Sequence, residues 1–243
     1  MSVVLAVFKR EFKSYFGTPL AYVFLAIFLM ASSLWMFMGD FFLRGEASMT
    51  PFFANIPALF AVFAPLIAMR MWSEERRTGT IEMLLSLPIT TGQAVVGKFL
   101  AAWVFLFISL LMTLPIYFTL LVLGRPEFGP VFTGYFGAFL LGGAYLAISG
   151  FFSVITKSQV ISFVLGLIAC VAFLLLGQPF ILGFLDANFP AFVSEMFESL
   201  SASTQFDKMQ RGMIEVQSLL FMLALTVGFL FASSVMLDER KAA

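Results

Sequence analysis

The segment at residues 92–98 comes closest to a known catalytic chemistry. It matches the phosphate-loop pattern G-x-x-x-x-G-K-S/T up to the last position, where Phe99 replaces the hydroxyl that holds magnesium. Thr90 and Gln93 form a capping box, so a helix is predicted to begin before Lys98, and no strand precedes it. We therefore expect no nucleotide site in this segment and no ATPase activity in this chain.

Other catalytic chemistries lack the residues they need. The chain has no histidine, which removes imidazole bases, Ser–His dyads and histidine-ligated metals. The single cysteine, Cys170, excludes an internal disulfide and a cysteine-cluster zinc site. Asp40 and Asp186 lie at the edges of apolar segments, which argues against intramembrane proteolysis. We predict no catalytic residue, no metal site and no cofactor bound by this chain.

The composition is that of an integral membrane protein. Of the 243 residues, 61% are hydrophobic and 12% charged, against about 25% charged in soluble domains. Six stretches of 22 residues or more lack Asp, Glu, Lys and Arg, and the next longest has 15. Such stretches predict six membrane helices, with cores at 20–38, 56–71, 99–123, 131–153, 159–176 and 218–236. Ion-coupled carriers usually need an ionisable group at mid-membrane, so this class is disfavoured.

The basic residues predict the orientation in the membrane. With the N-terminus inside, ten of the fourteen Lys and Arg lie on the inner side. This asymmetry places both termini in the cytoplasm. The formal net charge of zero argues against a nucleic-acid partner.

Residues 1–16 are predicted to form an interfacial helix that binds membrane lipid. Apolar side chains share one face and basic side chains the other: Val4, Phe8, Phe12, Tyr15 and Phe16 against Lys9, Arg10 and Lys13. Glu11 projects from the apolar side, where a lone carboxylate is costly. It either forms a salt bridge, for example with an arginine of the next cytoplasmic loop, or extends into water.

The loop at 72–98 is the largest inner segment. Its first part is densely charged, Gly79 can break the backbone, and Thr80 can cap a short helix that Pro88 ends. One face of this short helix is apolar and needs a burial partner: Ile81, Leu84 and Leu85.

The outer segment at 177–215 carries six phenylalanines and is predicted to fold back at the membrane surface as short helices. The small residues Gly142, Gly143, Ala144 and Ala147 favour close helix packing, either within one subunit or at a dimer seam.

Three motifs carry a resemblance to a known family. Residues 74–88, EERRTGTIEMLLSLP, resemble the E-E-R-x-x-G-T-x-E-x-L-L-x-x-P run of ABC-2-type permeases. Residues 8–12 and 16–22, FKREF and FGTPLAY, are similar to the family's N-terminal pattern. Residues 206–215, FDKMQRGMIE, resemble its F-x-x-F-x-R-G-x-I-D/E run, with Met209 replacing the second aromatic. The most similar branch is that of the gliding-motility GldF-like and NosY-like permeases.

The resemblance implies an all-α integral membrane protein with the type-2 ABC exporter fold. A single domain at 1–243 would contain six transmembrane helices, the amphipathic N-terminal helix, a cytoplasmic coupling helix at 80–87 and an outer re-entrant helical hairpin. Two permease chains, identical or related, would bind two ABC ATPase subunits that hold ATP and Mg. A GldG-like accessory protein would bind the outer face, and the complex would lie in a bacterial inner membrane.

The resemblance also assigns two contact regions. The ATPase contact comprises Glu74, Glu75, Arg76, Arg77, Thr78, Gly79, Thr80, Ile81, Glu82, Leu84 and Leu85. The outer-partner region comprises Arg211, Gly212 and Glu215. Two functions follow as alternatives: export of a hydrophobic or amphipathic substrate, or mechanical transmission of ATP-driven motion to an outer protein.

Overall fold

The computed structural model describes residues 3–38, 48–81, 89–124 and 126–242, and the regular elements in these ranges are all α-helices. The twelve helices of these ranges are α1 (Val3–Phe16), α2 (Pro19–Met38), α3 (Thr50–Ala68), α4 (Ser73–Thr78), α5 (Thr91–Leu111), α6 (Leu114–Leu123), α7 (Phe128–Ile155), α8 (Gln159–Leu175), α9 (Pro179–Asn188), α10 (Ala191–Ser199), α11 (Ala202–Gln210) and α12 (Val216–Ala242).

The described chain has five to six apolar spans, which confirms the predicted all-helical membrane fold. Five segments are long and apolar enough to cross a membrane on their own: Pro19–Phe37, Thr50–Thr78, Thr91–Leu123, Phe128–Ile155 and Val216–Glu239. The sixth is α8 with α9, a pair that bends by 65°. The 17 residues of α8 extend only about 26 Å, which is short of a hydrocarbon core of about 30 Å.

The predicted third span is broken near the end that is predicted to face outward. α5 ends at Leu111 and α6 begins at Leu114, because Pro115 has no N–H and its ring would clash with the preceding turn. Thr113 Oγ1 donates to the Leu110 carbonyl at 2.6 Å and lies 3.0 Å from Tyr135 Oη. These hydrogen bonds satisfy polar groups at a break that lipid could not solvate.

α7 lies at the centre of the core, and glycines let its neighbours approach closely. A Cβ on Gly142 would lie 2.6 Å from Leu106 Cδ2, and one on Gly143 would lie 2.8 Å from the Trp103 ring. The Trp103 indole stacks on Phe139 with ring centroids 4.2 Å apart and donates to its carbonyl at 2.8 Å. The small residues of α7 therefore pack against α5 within one chain.

Candidate functional site

Helix α4 lies at the start of the loop at 72–98, called the charged loop below, and is attached to the end of α7. Ser153 Oγ accepts hydrogen bonds from the backbone N–H groups of Trp72 and Ser73, both at 3.1 Å. Arg76 Nη1 donates to the carbonyls of Val154 and Ile155 at 2.7 and 2.5 Å. A guanidinium on the last carbonyls of a helix is a favourable arrangement, since these groups have no intrahelical partner. α4 is thus held in place at its start and through Arg76.

The segment that follows α4 is exposed. Gly79 adopts a left-handed conformation, φ 73°, and ends α4, as predicted for a backbone break. Arg77, Thr78, Gly79 and Thr80 face solvent. Thr80 and Ile81 are helical, which is the point where the predicted coupling helix begins. The rest of that helix, including Glu82, Leu84 and Leu85, lies outside the described residues.

Lys98 is the buried centre of an ionic cluster. Among the side chains that the structure describes, Lys98 is the only charged one that is buried, with 3% exposure. Its Nζ lies 2.8 Å from Glu75 Oε1 and 3.3 Å from Glu11 Oε1. Arg10 Nη2 lies 2.8 Å from the same Glu11 oxygen and 3.8 Å from Glu75 Oε1. Two cations and two carboxylates balance, and the buried Lys98 has the carboxylate partners that its burial requires, whereas the Arg10 side chain is 56% exposed.

The Lys98 ammonium also lies over an aromatic ring. Its Nζ is 5.1 Å from the ring centroid of Trp72, the residue that precedes α4. A desolvated cation in this position is attracted by the electron-rich ring face. The aromatic contact adds to the two carboxylates and further orients the ammonium toward the start of α4.

Helix α1 packs along the first half of α5. A Cβ on Gly97 would lie 2.8 Å from the Val7 side chain, so only glycine permits this approach. Further along both helices, Tyr15 stacks on Phe105 with ring centroids 5.2 Å apart. The Glu11–Lys98 contact lies between these two packing points.

Glu11 therefore pairs with a lysine at the start of α5 and with its own neighbour Arg10, and not with an arginine of the charged loop. Arg70, which precedes this loop, instead binds Glu74 at 3.0 Å. Burial and the Glu11 carboxylate raise the pKa of Tyr15 above its usual value, whereas Arg70 opposes the shift.

A cavity of about 630 Å³ opens beside the ionic cluster. Its lining includes three cations and three carboxylates: Arg10, Arg70, Lys98, Glu11, Glu74 and Glu75. The lining therefore carries no formal net charge, and both α1 and α4 contribute to it.

The segment that resembled a phosphate loop is helical. Thr90 Oγ1 accepts from the Gln93 N–H, and Gln93 Oε1 accepts from the Thr90 N–H, both at 3.2 Å. The predicted capping box is confirmed, and α5 begins at Thr91. Thr91 Oγ1 donates to Asp238 Oδ1 at 2.7 Å, which ties the start of α5 to the end of α12.

The motif at residues 206–215, called the outer motif below, contributes to the core. Phe206 and Met209 of α11 are fully buried. A Cβ on Gly137 of α7 would lie 3.0 Å from Met209 Cβ and 3.3 Å from Phe206 Cδ2. Met209, which replaces an aromatic of the family pattern, fills the space left against this glycine.

The predicted outer-partner residues border α11. Glu215 Oε2 accepts from Lys208 Nζ at 2.8 Å. Gly212, with φ 90°, turns the chain out of α11, and Arg211 is exposed. Burial raises the pKa of the nearby Asp207 carboxyl, whereas Arg211 opposes that shift.

The structure separates the residues predicted to contact the ATPase into two groups. The side chains of Glu75 and Arg76 turn inward, toward Lys98 and the end of α7. The segment from Arg77 to Thr80 is exposed. Sequence reasoning missed Lys98 as a structural centre, although a lysine within the first turns of an apolar helix signals a need for carboxylate partners.

One comparison with known proteins identifies the family. A search of the curated proteins found no match. The profile of the family described as ABC-2 family transporter protein matches residues 45–242, most of the chain. This match includes the charged loop, α4 and the outer motif. The chain belongs to the ABC-2 transporter family.

Proposed function

We propose that this chain couples ATP hydrolysis by separate ABC ATPase subunits to the export of a hydrophobic or amphipathic substrate. Membership of the family makes it the membrane permease component, with ATPase activity in a partner subunit. The observation that carries the proposal is the contrast within the charged loop: α4 is fixed to α7, and an exposed segment leads away from it.

This arrangement suits a docking element. A partner that pushes on Arg77 to Thr80 acts on a helix whose hydrogen bonds lead to the end of α7, the central helix of the core. Because packed helices shift as rigid units, movement at this point would reposition α7. The geometry therefore supports a mechanical input at the end of the bundle predicted to face the cytoplasm.

Charge reversal at the exposed segment tests the docking surface. We expect Arg77→Glu to reduce the amount of ATPase that co-purifies with the tagged permease. Lys157→Glu is the matched control, because Lys157 is exposed on a neighbouring loop of the same predicted side. Equal ATPase recovery with both variants would contradict docking at this segment.

The substrate class is proposed from the spans. The apolar segments Phe128–Ile155 and Val216–Glu239 offer few charged groups to a solute, which favours a hydrophobic or amphipathic one. The test is ATP-dependent movement of labelled lipids and amphipathic compounds in vesicles that contain the reconstituted complex. Hydrolysis without movement of any of these compounds would contradict export.

Force transmission to an outer protein is the second candidate, and the exposed aromatics of α9 and α10 favour it. Phe180 is 86% exposed and Phe192 72% exposed, so both present apolar area beyond the packed core. Replacing both by serine should abolish binding of an outer partner and leave ATPase recovery unchanged. Unchanged partner binding would exclude these helices as the docking surface.

We further propose the assembly that the family resemblance implies. Two permease chains, identical or related, bind two ATPase subunits in a bacterial inner membrane with both termini in the cytoplasm. Placement in the GldF-like and NosY-like branch, with a GldG-like accessory protein, rests on motifs such as residues 8–12 and 206–215.

A further inference from the structure

The ionic cluster joins α4 and α1, which are attached to different helices of the core. On one side, α4 is bound to the end of α7 through Arg76 and Ser153. On the other side, α1 is packed on α5 through Gly97 and Phe105. Lys98 contacts both sides, because its ammonium lies between Glu75 of α4 and Glu11 of α1.

Glu75 depends on Lys98 for its position. Its Oε1 lies 2.8 Å from Lys98 Nζ, whereas Arg10 Nη2 is more distant at 3.8 Å. Its Oε2 is buried and has no hydrogen-bond partner within the described part of the chain. Without the ammonium, this carboxylate would keep only the longer contact with Arg10.

The α1 side of the cluster is equally constrained. Glu11 lies between the two points at which α1 packs on α5, and the Gly97 contact leaves no space for a larger side chain. A shift of Lys98 would therefore move Glu11 and α1 together with the start of α5. Long side chains on an exposed surface would absorb such a shift, but a lysine with 3% exposure has few alternative rotamers.

We infer that Lys98 is the positioning residue through which movement of the charged loop reaches α1 and the start of α5. This inference rests on the proposed function, because it assumes that an ATPase moves the loop. Arg76 binds the loop directly to the end of α7, and Lys98 provides a second contact, which leads to α1. Lys98 acts through Glu75 and Glu11 and contacts neither nucleotide nor substrate.

Hydrogen–deuterium exchange of the purified permease–ATPase complex tests this role. Exchange is compared between the nucleotide-free complex and a complex trapped with ATP and vanadate. Three peptides report the three elements: residues 73–78 for α4, 3–16 for α1 and 91–98 for the start of α5. In the unmodified complex, we expect nucleotide trapping to change exchange in all three.

The informative variant is Lys98→Met with Glu75→Gln. It removes one cation and one carboxylate, so the remaining Arg10–Glu11 pair stays balanced and the chain should fold. We expect the nucleotide-dependent change to persist at 73–78 and to be lost at 3–16 and 91–98. Lys157→Met, at an exposed lysine, is the matched control and should keep all three changes.

The outcomes separate this inference from the proposed function. Retention of the change at 3–16 in the double variant would overturn the role of Lys98. Loss of the change at 73–78 in the same variant would also overturn it, because Lys98 would then act on docking. An unmodified permease that binds no ATPase would instead refute the proposed function.

Discussion

Replacing Lys98 by methionine should destabilise the chain, and adding Glu75→Gln should recover part of the loss. The single change leaves Glu11 and Glu75 opposed by Arg10 alone, with one uncompensated negative charge. The double variant restores the balance by neutralising one carboxylate. A second substitution at a partly buried site is thus expected to raise the stability of the first variant, which a loss of packing alone would not produce.

The distances set the magnitude of this effect. At an effective dielectric constant of about 20, the contacts of Lys98 with Glu75 and Glu11 correspond to roughly 6 and 5 kcal/mol of attraction. Desolvation offsets most of this, and breaking a buried pair typically costs about 3–5 kcal/mol. Because the two Glu side chains retain 19% and 20% exposure, the lower limit, about 3 kcal/mol, is expected for Lys98→Met.

The single cysteine provides the assay. Cys170 is fully buried, so a thiol-reactive fluorophore labels it only as the chain unfolds on heating. A loss of about 3 kcal/mol corresponds to a fall in Tm of roughly 6–12 °C for a chain of this size. Adding Glu75→Gln should recover about half of that fall, since it removes the unbalanced charge but not the lost contacts.

Glu74→Gln is the control second substitution, because Glu74 pairs with Arg70 at 3.0 Å and not with Lys98. Added to Lys98→Met, it should recover none of the lost stability. If Glu75→Gln lowers the Tm of Lys98→Met further, or if both second substitutions have equal effects, the charge-balance reasoning is wrong.

Three further predictions use the same thermal assay. Gly97→Ala should lower the free energy of unfolding by about 1–3 kcal/mol, because it forces α1 away from α5. Gly183→Ala is the control and should not destabilise the chain, since a Cβ at Gly183 meets nothing within 4 Å. Equal effects of the two substitutions would contradict the close approach of α1 to α5. Phe206→Ala should lower the free energy of unfolding by about 3–5 kcal/mol, because Phe206 is fully buried. Phe180→Ala should change it by no more than about 0.5 kcal/mol, because Phe180 is 86% exposed. Similar losses from the two substitutions would refute burial of the outer motif. Burial raises the pKa of Asp207 in the folded chain, so the protonated carboxyl favours folding. This stabilisation is lost as the pH rises from the pKa of Asp207 in the unfolded chain through its higher pKa in the folded chain. Asp207→Asn should remove that decline, and a variant whose Tm follows the same pH curve as the unmodified chain would show that Asp207 does not cause it.

Local features of the fold were predictable because their causes lie within a few residues. Charge-free length identified the spans, and the capping box at Thr90 and the break at Gly79 were read from neighbouring residues. The interruption before Pro115 was missed, because hydropathy averages over a span and does not register one proline.

The partners within the candidate site were not predictable, because they depend on tertiary contacts. Glu11 was expected to need a cation, but its pairing with Lys98 requires α1 to lie along α5. That approach is set by Gly97, whose role is visible only when Val7 is placed against it. Likewise, the inward turn of Arg76 follows from the position of the end of α7, far away in sequence.

The most direct test of the central claim is native mass spectrometry of the tagged permease, purified in mild detergent from its own cells. The account predicts an ABC ATPase at one copy per permease chain, in a complex of two of each. Permease recovered without any ATPase would contradict the claim that this chain is the membrane half of an ATP-driven transporter.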